Sequence, residues 1–323
     1  MKTHNKRPVK VNIQMKRARK LLKAAGFSML SAVSAAALAV ENTELLTVDA
    51  AVNSKVLDGV ASGLGKGAKV DSLTVFECGR VEAPDRSHWS PGVDVGVAHK
   101  MVASCYLIRH GDKLMVWDTG IPAPVAKLEN GLSIAGGKIN LFLDKPFPAL
   151  LKENGISPAS VEYLAMSHMH ADHTGNANAF TNANWFIQEA EYNAAFGEDA
   201  PKFNFRKATY AKLDQSKVVK LNGHHDVFGD GSVVIIPAPG HTPGHQVLYV
   251  NLESGPVILS GDLWHFASNY HFSRVPGFNY DVKQTRASMK MIDALAAVSG
   301  AKIILQHDHD GNQKIPHAPK SVR

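Results

Sequence analysis

Ser167-His168-Met169-His170-Ala171-Asp172-His173-Thr174-Gly175 places three imidazoles and a carboxylate within six residues. Neutral imidazoles and carboxylates are the donors that hold zinc, iron, manganese or cobalt. The segment follows a mostly apolar run, Val161 to Met166, that reads as a buried strand. Side chains alternate along a strand, so its continuation puts His168 and His170 on one side. A turn just past it brings Asp172 and His173 around to the same point.

A pair of metal ions needs donors from other loops, and three segments offer them. Pro239-Gly240-His241-Thr242-Pro243-Gly244-His245 reads as a tight turn after the apolar strand Val233 to Pro237, with His241 at the strand end. Leu259-Ser260-Gly261-Asp262 sets a carboxylate at the tip of the run from Pro256. Ile303-Ile304-Leu305-Gln306-His307-Asp308 does the same for His307. His245, four residues after His241, is a candidate for orienting a ligand, although a strand-edge histidine is the simpler expectation. His309 is a weaker rival to His307. His224 and His225 read as a solvated loop, and Asp118 as a structural acceptor.

The elements that must carry these loops are legible in part. Val70 to Glu77 begins the first strand. Val102 to Arg109 and Lys113 to Trp117 form a hairpin about Gly111-Asp112. Residues 121–155 read as mixed helix and loop. Asn184 to Gln188 and Val218 to Leu221 are further strands. Asp281 to Val298 has helical periodicity, with Met289, Ile292, Leu295 and Ala296 on one face. Gly-Leu-Gly-Lys-Gly at 63–67 lacks the spacing of a phosphate loop.

The ordered set His-x-His-x-Asp-His, His, Asp, His resembles the metallo-β-lactamase-fold hydrolases, and Asp118-Thr119-Gly120 matches that superfamily's early Asp-x-Gly turn. The resemblance covers roughly Val70 to His309. It implies an α/β fold, a four-layer αββα sandwich. It assigns one metal to His168, His170 and His241, a second to Asp172, His173 and His307, and makes Asp262 the bridge. The implied cofactors are two divalent ions, zinc first, with iron, cobalt or manganese as alternatives. A hydroxide shared between them attacks a carbonyl carbon, and Asp172 moves the proton.

Within that superfamily, the chain looks most like the N-acyl homoserine lactone lactonases. Phe76 to Arg80, Cys105 to His110, Val116 to Gly120, Gly261 to Phe266, Arg274 to Asp281 and Gln306 to Asp308 carry the likeness. One position departs. Some of these lactonases hydrogen-bond the substrate with a tyrosine three residues after the bridging aspartate, and here that residue is His265. The implied role of His265 is the same bond, made by an imidazole. The other readings are an aryl-ester or organophosphate hydrolase on the same site, an iron-dependent persulfide dioxygenase, and a non-catalytic metal-binding module. Phe142, Phe147, Trp264, Phe266, Tyr270 and Phe278 are the expected lining for an acyl chain.

Charge narrows the partners. The formal charge is +6, but residues 1–39 hold nine Lys or Arg and no acid, and the remainder has 26 basic against 29 acidic residues. The basic balance belongs to the N-terminus, which argues against nucleic acid as a partner. The expected partner is a small lactone or ester, and a homodimer is compatible with the chain.

Lys16-Arg17-Ala18-Arg19-Lys20, the apolar stretch Leu21 to Leu38 and Ala37-Leu38-Ala39 read as a signal peptide over 1–39. Residues 40–69 then form an N-terminal extension and 70–323 the hydrolase domain. The location expected is periplasmic or secreted, with no membrane span once the leader is removed. Cys78 and Cys105 can pair if their strands are neighbours, and buried free thiols are the expectation.

Overall fold

The computed structural model describes residues 64–323. The expected leader lies outside the described residues, as does the expected extension up to residue 63. Among the described residues no helix is long and apolar enough to cross a membrane.

The strands are β1 (Ser72–Ala83), β2 (His99–His110), β3 (Lys113–Trp117), β4 (Leu132–Ile134), β5 (Ile139–Phe142), β6 (Tyr163–Ala165), β7 (Asn184–Gln188), β8 (Lys217–Leu221), β9 (His225–Asp226), β10 (Val233–Pro237), β11 (Gln246–Val250), β12 (Val257–Leu259) and β13 (Lys302–Ile304). One sheet runs β4-β5-β1-β2-β3-β6-β7-β8 and the other β13-β12-β11-β10-β9. The first is antiparallel from β4 to β3 and parallel from β3 to β8.

Alternation along the strands builds the layers. Tyr106 and Ile108 of β2 enter the core between the sheets, with Val233 and Ile235 of β10. Cys105 and Leu107 join a second cluster with Phe147 and Leu151 of the helix Phe147–Glu153. Val234 and Ile236 pack with Met289, Ile292 and Leu295 of the helix Val282–Ser299. Helix, sheet, sheet and helix are therefore four layers, as expected. Asp281 caps that last helix by accepting from the Gln284 amide, and Gly300 ends it in the left-handed region at φ 71°.

Four expectations change. Residues 121–155 hold two strands, β4 and β5, besides helix and loop. These strands are short and half-exposed and flank Gly136 and Gly137, so they lack an apolar signature. Strand β1 runs on to Ala83 past an irregularity between Glu77 and Arg80. β6 stops at Ala165, so His168 and His170 do not share a face by strand alternation. They lie in a bend after it.

Finally, Cys78 and Cys105 form a disulfide rather than free thiols. They ride on directly paired strands, with Phe76 opposite Cys105, and both are fully buried.

Candidate metal centre

His168, His170, His241, Asp262 and His307 follow the ends of β6, β10, β12 and β13, so four strand tips supply one point. The loop after β6 is shaped by Asp118. Its carboxylate accepts from the Ser167 amide at 2.7 Å, from the Ser167 hydroxyl and from His173 Nδ1 at 3.0 Å. A single turn of helix, Ala171–Thr174, then brings Asp172 and His173 back towards the histidines before it. Asp118 is thus a structural acceptor, as the sequence suggested.

Two donor clusters result. His168, His170, His241 and Asp262 form one, and Asp172, His173 and His307 the other, with the offered atoms of each cluster within 4.8 Å of one another. Asp262 stands between them. Its Oδ2 lies 3.8 Å from His168 Nε2 and 3.4 Å from His241 Nε2. Its Oδ1 lies 3.2 Å from His173 Nε2 and 3.0 Å from His307 Nε2. Asp172 Oδ2 is 3.7 Å from His307 Nε2 and 3.9 Å from His173 Nε2.

The outer hydrogen bonds assign the tautomers. His241 donates from Nδ1 to Asn279 Oδ1 at 2.9 Å, and His307 from Nδ1 to Val102 O at 2.6 Å. His170 donates from Nε2 to Phe203 O at 3.0 Å. His173 donates to Asp118, and His168 Nδ1 meets the Ser167 hydroxyl at 3.1 Å. The rings of His170 and His241 then aim an unprotonated nitrogen inward. His170 Nδ1 stands 2.8 Å from His168 Nε2 and 3.1 Å from His241 Nε2. The lone pairs of His170 Nδ1 and His241 Nε2 face each other and repel at that distance, because the protons of both rings are committed outward. A divalent cation satisfies both. His173 Nε2 and Asp262 Oδ1 are likewise buried without a hydrogen-bond partner. The donor set therefore fits divalent metal ions.

Protonation agrees with the first cluster. Burial holds the His168 and His241 imidazoles well below their usual range, so they are neutral ligands at neutral pH. Burial also works against ionisation of Asp262, but His307, His173, His265 and His168 outweigh it and keep the carboxyl well below its usual range. At His173 and His307 burial is overcome by the carboxylates, Asp262 foremost, and the imidazoles are raised. A cation held there would take the place of that proton.

His245 does more than the strand-edge reading allowed. Fully buried, it donates from Nδ1 to Ala238 O and accepts the Asp262 amide at Nε2, 3.0 Å in each case. His265 lies beside Asp262, with Nε2 3.2 Å from Oδ2, and its Nδ1 is buried without a partner. His309 pairs with Asp310 at the surface and is not in the centre. His225 sits in β9 against Phe186 rather than in a solvated loop.

A cavity of about 310 Å³ opens beside the two clusters, lined by His170, Asp172, Asp262, His265 and His307. Its apolar wall corrects the expected one. Of the six aromatic residues proposed, Phe278 lines it. Phe147 packs under the first sheet, Trp264 and Tyr270 under the helix Val282–Ser299, and Phe142 lies beneath Arg80. Phe266 is buried in a cluster with Val81 and Met101. The wall instead uses Trp89 and His88, with Ile134, Ile139 and Leu141 of the β4–β5 hairpin.

Two further residues escaped the sequence reading. Trp89 belongs to a loop tied down by the Arg86–Asp94 ion pair, and by Asn269, which donates to Trp89 O at 3.0 Å. Glu191, in the first turn of the helix Glu189–Phe196, accepts from the Met169 amide at 2.9 Å and the Gly244 amide at 2.7 Å. It staples the loop of His168 and His170 to the turn of His241. A tryptophan in a polar loop and an acid in the first turn of an alanine-rich helix are the only sequence signals for either.

Comparison with known proteins agrees with the geometry. Residues 100–307 match the family described as the Metallo-beta-lactamase superfamily. An N-acyl homoserine lactonase AttM of Azorhizobium caulinodans is 30% identical over 238 residues, covering 69% of this chain and 88% of the relative. The N-acyl homoserine lactonase AttM of Agrobacterium fabrum is 32% identical over 239 residues, covering 70% and 89%. A solved N-acyl homoserine lactone hydrolase, with the product N-hexanoyl-L-homoserine at its catalytic metal centre, superposes with a TM-score of 0.70. It is 25% identical, and the match covers 79% of this chain and all of that one.

Proposed function

The chain belongs to the metallo-beta-lactamase superfamily, and on that premise we propose that it is a dinuclear metal-dependent hydrolase that opens the lactone ring of N-acyl homoserine lactones. The observation that carries the reading is Asp262, with one oxygen turned to each donor cluster beside an apolar cavity. Two zinc ions are the proposed cofactors. His168, His170 and His241 would hold one, Asp172, His173 and His307 the other, with Asp262 offering an oxygen to each. Ions bound there supply an acidified water as nucleophile and an electrophile for the ester carbonyl.

The remaining work falls to side chains. Asp172 is partly open to the cavity and accepts the proton released on attack, then returns it to the ring oxygen as the alcohol leaves. His265 lines the cavity, and its imidazole hydrogen-bonds a polar group of the substrate in place of a tyrosine hydroxyl. Ile134, Ile139, Leu141 and Trp89 shield the acyl chain from water. The rings of His88, Trp89 and Phe278 on one wall support a second reading, an aryl ester as substrate.

We also propose that the protein acts in the periplasm or outside the cell. The leader-like residues 1–39 and the buried disulfide support this. Fractionation of the native host tests it, and cytosolic protein retaining residues 1–39 would contradict it.

Acid release from N-hexanoyl homoserine lactone, with His170→Ala as control and a 4-nitrophenyl ester in parallel, tests the activity. Lactone opening lost in the control supports the proposal. No lactone opening by metal-loaded protein, with rapid ester cleavage, favours the aryl-ester reading.

A further inference from the structure

The disulfide packs against the turn Asp118–Ile121, which bonds the loop that carries His173. A Cβ placed on Gly120 would come within 2.2 Å of Cys78 Cβ and 3.0 Å of Cys105 Sγ. The turn Asp118–Ile121 therefore rests on the disulfide with no free space, and the Ile121 amide donates to Cys78 O at 3.0 Å. On its other side the same turn is bonded throughout to the ligand loop. The Thr119 amide and hydroxyl donate to His173 O at 2.6 and 2.9 Å, and the Gly175 amide donates to Gly120 O at 2.9 Å. Asn176 Nδ2 donates to Thr119 O and Ile121 O at 2.7 and 2.9 Å. Asp118, held at φ 56°, accepts from His173 Nδ1.

Two unbonded heavy atoms must stand near contact distance, roughly 3.5–4 Å apart. Two free thiols need more room than the bonded pair, and the face against Gly120 offers none. A close-packed interior passes such a displacement on. The nearest movable body is the turn that aims His173.

We propose that the Cys78–Cys105 disulfide is a positioning element of the metal centre, which holds the Asp118–Ile121 turn so that His173 meets Asp262. The second cluster assembles fully only in the oxidised chain. Activity is then confined to an oxidising compartment and falls when the bond is reduced. The inference rests on the metal-centre reading above.

Tris(2-carboxyethyl)phosphine supplies the test reductant. Phosphorus gives two electrons and becomes the phosphine oxide, water supplies its oxygen, and the two protons of that water complete two thiols as the S–S bond breaks. The oxidised, zinc-loaded protein is compared with the reduced one for thiol count, metal content, folding by circular dichroism and lactone opening.

The expected result is a folded reduced protein with about one metal fewer per chain and kcat/KM lower by about 10–100-fold, restored on reoxidation with zinc. The Cys78→Ala/Cys105→Ala protein should show the same deficit, with no further loss when phosphine is added, which separates the effect from chelation. If that variant does not fold, the reversible reduction of the natural chain still decides. Two titrated thiols with full metal content and unchanged kcat/KM would overturn the inference and leave the lactonase reading intact. Oxidised protein that holds no metal would instead remove the reading on which it rests.

Discussion

The amide of Asp262 donates to Nε2 of His245 at 3.0 Å, so the carboxylate between the two donor clusters is aimed by an imidazole that belongs to neither. The same ring is pinned at Nδ1 by Ala238 O, and burial pushes its pKa down to about 3. It stays neutral, with a fixed tautomer, through the whole working range. His245→Ala leaves the Asp262 amide without its acceptor. Metal affinity, measured by competition with a chromogenic chelator, should fall about 10–100-fold. Unchanged affinity would mean that Asp262 needs no such support.

His265 makes a different prediction. It touches Asp262 but belongs to neither donor cluster. His265→Phe should keep full metal content and lower kcat/KM for lactone opening by about 10–100-fold, and His265→Tyr should recover part of the loss. Metal loss in His265→Phe, seen by elemental analysis, would recast the residue as a ligand.

Glu191 links stability to pH. Burial lifts its carboxyl from 4.5 to about 7, against the Gly244 and Met169 amides, which favour the charged form. A raised carboxyl binds its proton more tightly folded than unfolded. It therefore makes stability fall as pH rises from about 4.5 to 7, by roughly 3 kcal/mol at one pKa unit per 1.36 kcal/mol. Glu191→Gln cannot titrate. Urea unfolding of metal-free protein should show that the gap between the two proteins changes across pH 5–8 by that amount. A constant gap would refute the assignment.

Trp89 is the anchor of the cavity wall and is nearly fully buried. Trp89→Ala should destabilise the protein by about 3–5 kcal/mol in urea unfolding. It should also raise KM more for long-chain than for short-chain lactones. Equal KM changes across chain lengths would place the acyl chain elsewhere.

The donor residues were legible because each follows a short apolar run, and their types admit few uses besides metal binding. His168, His170, His241, Asp262 and His307 lie together past the ends of strands, although β6 stops at Ala165 and His168 and His170 follow it in a bend. The walls were not legible. Phe147 and Trp264 stand near the motifs in sequence but turn into helix-covered cores. Trp89 is far from them in sequence, and the loop that carries it has no periodicity. The disulfide escaped because strand adjacency, not composition, decides it, and the pairing of β1 with β2 cannot be read from two isolated cysteines. The β4–β5 hairpin escaped because its residues are half-exposed and interrupted by glycines.

Metal titration of chelator-stripped enzyme, with lactone opening followed at each addition, tests the central claim most directly. The two clusters joined by Asp262 predict that activity rises to a plateau at two zinc ions per chain. A plateau at one ion, or full activity before any metal is added, would contradict it.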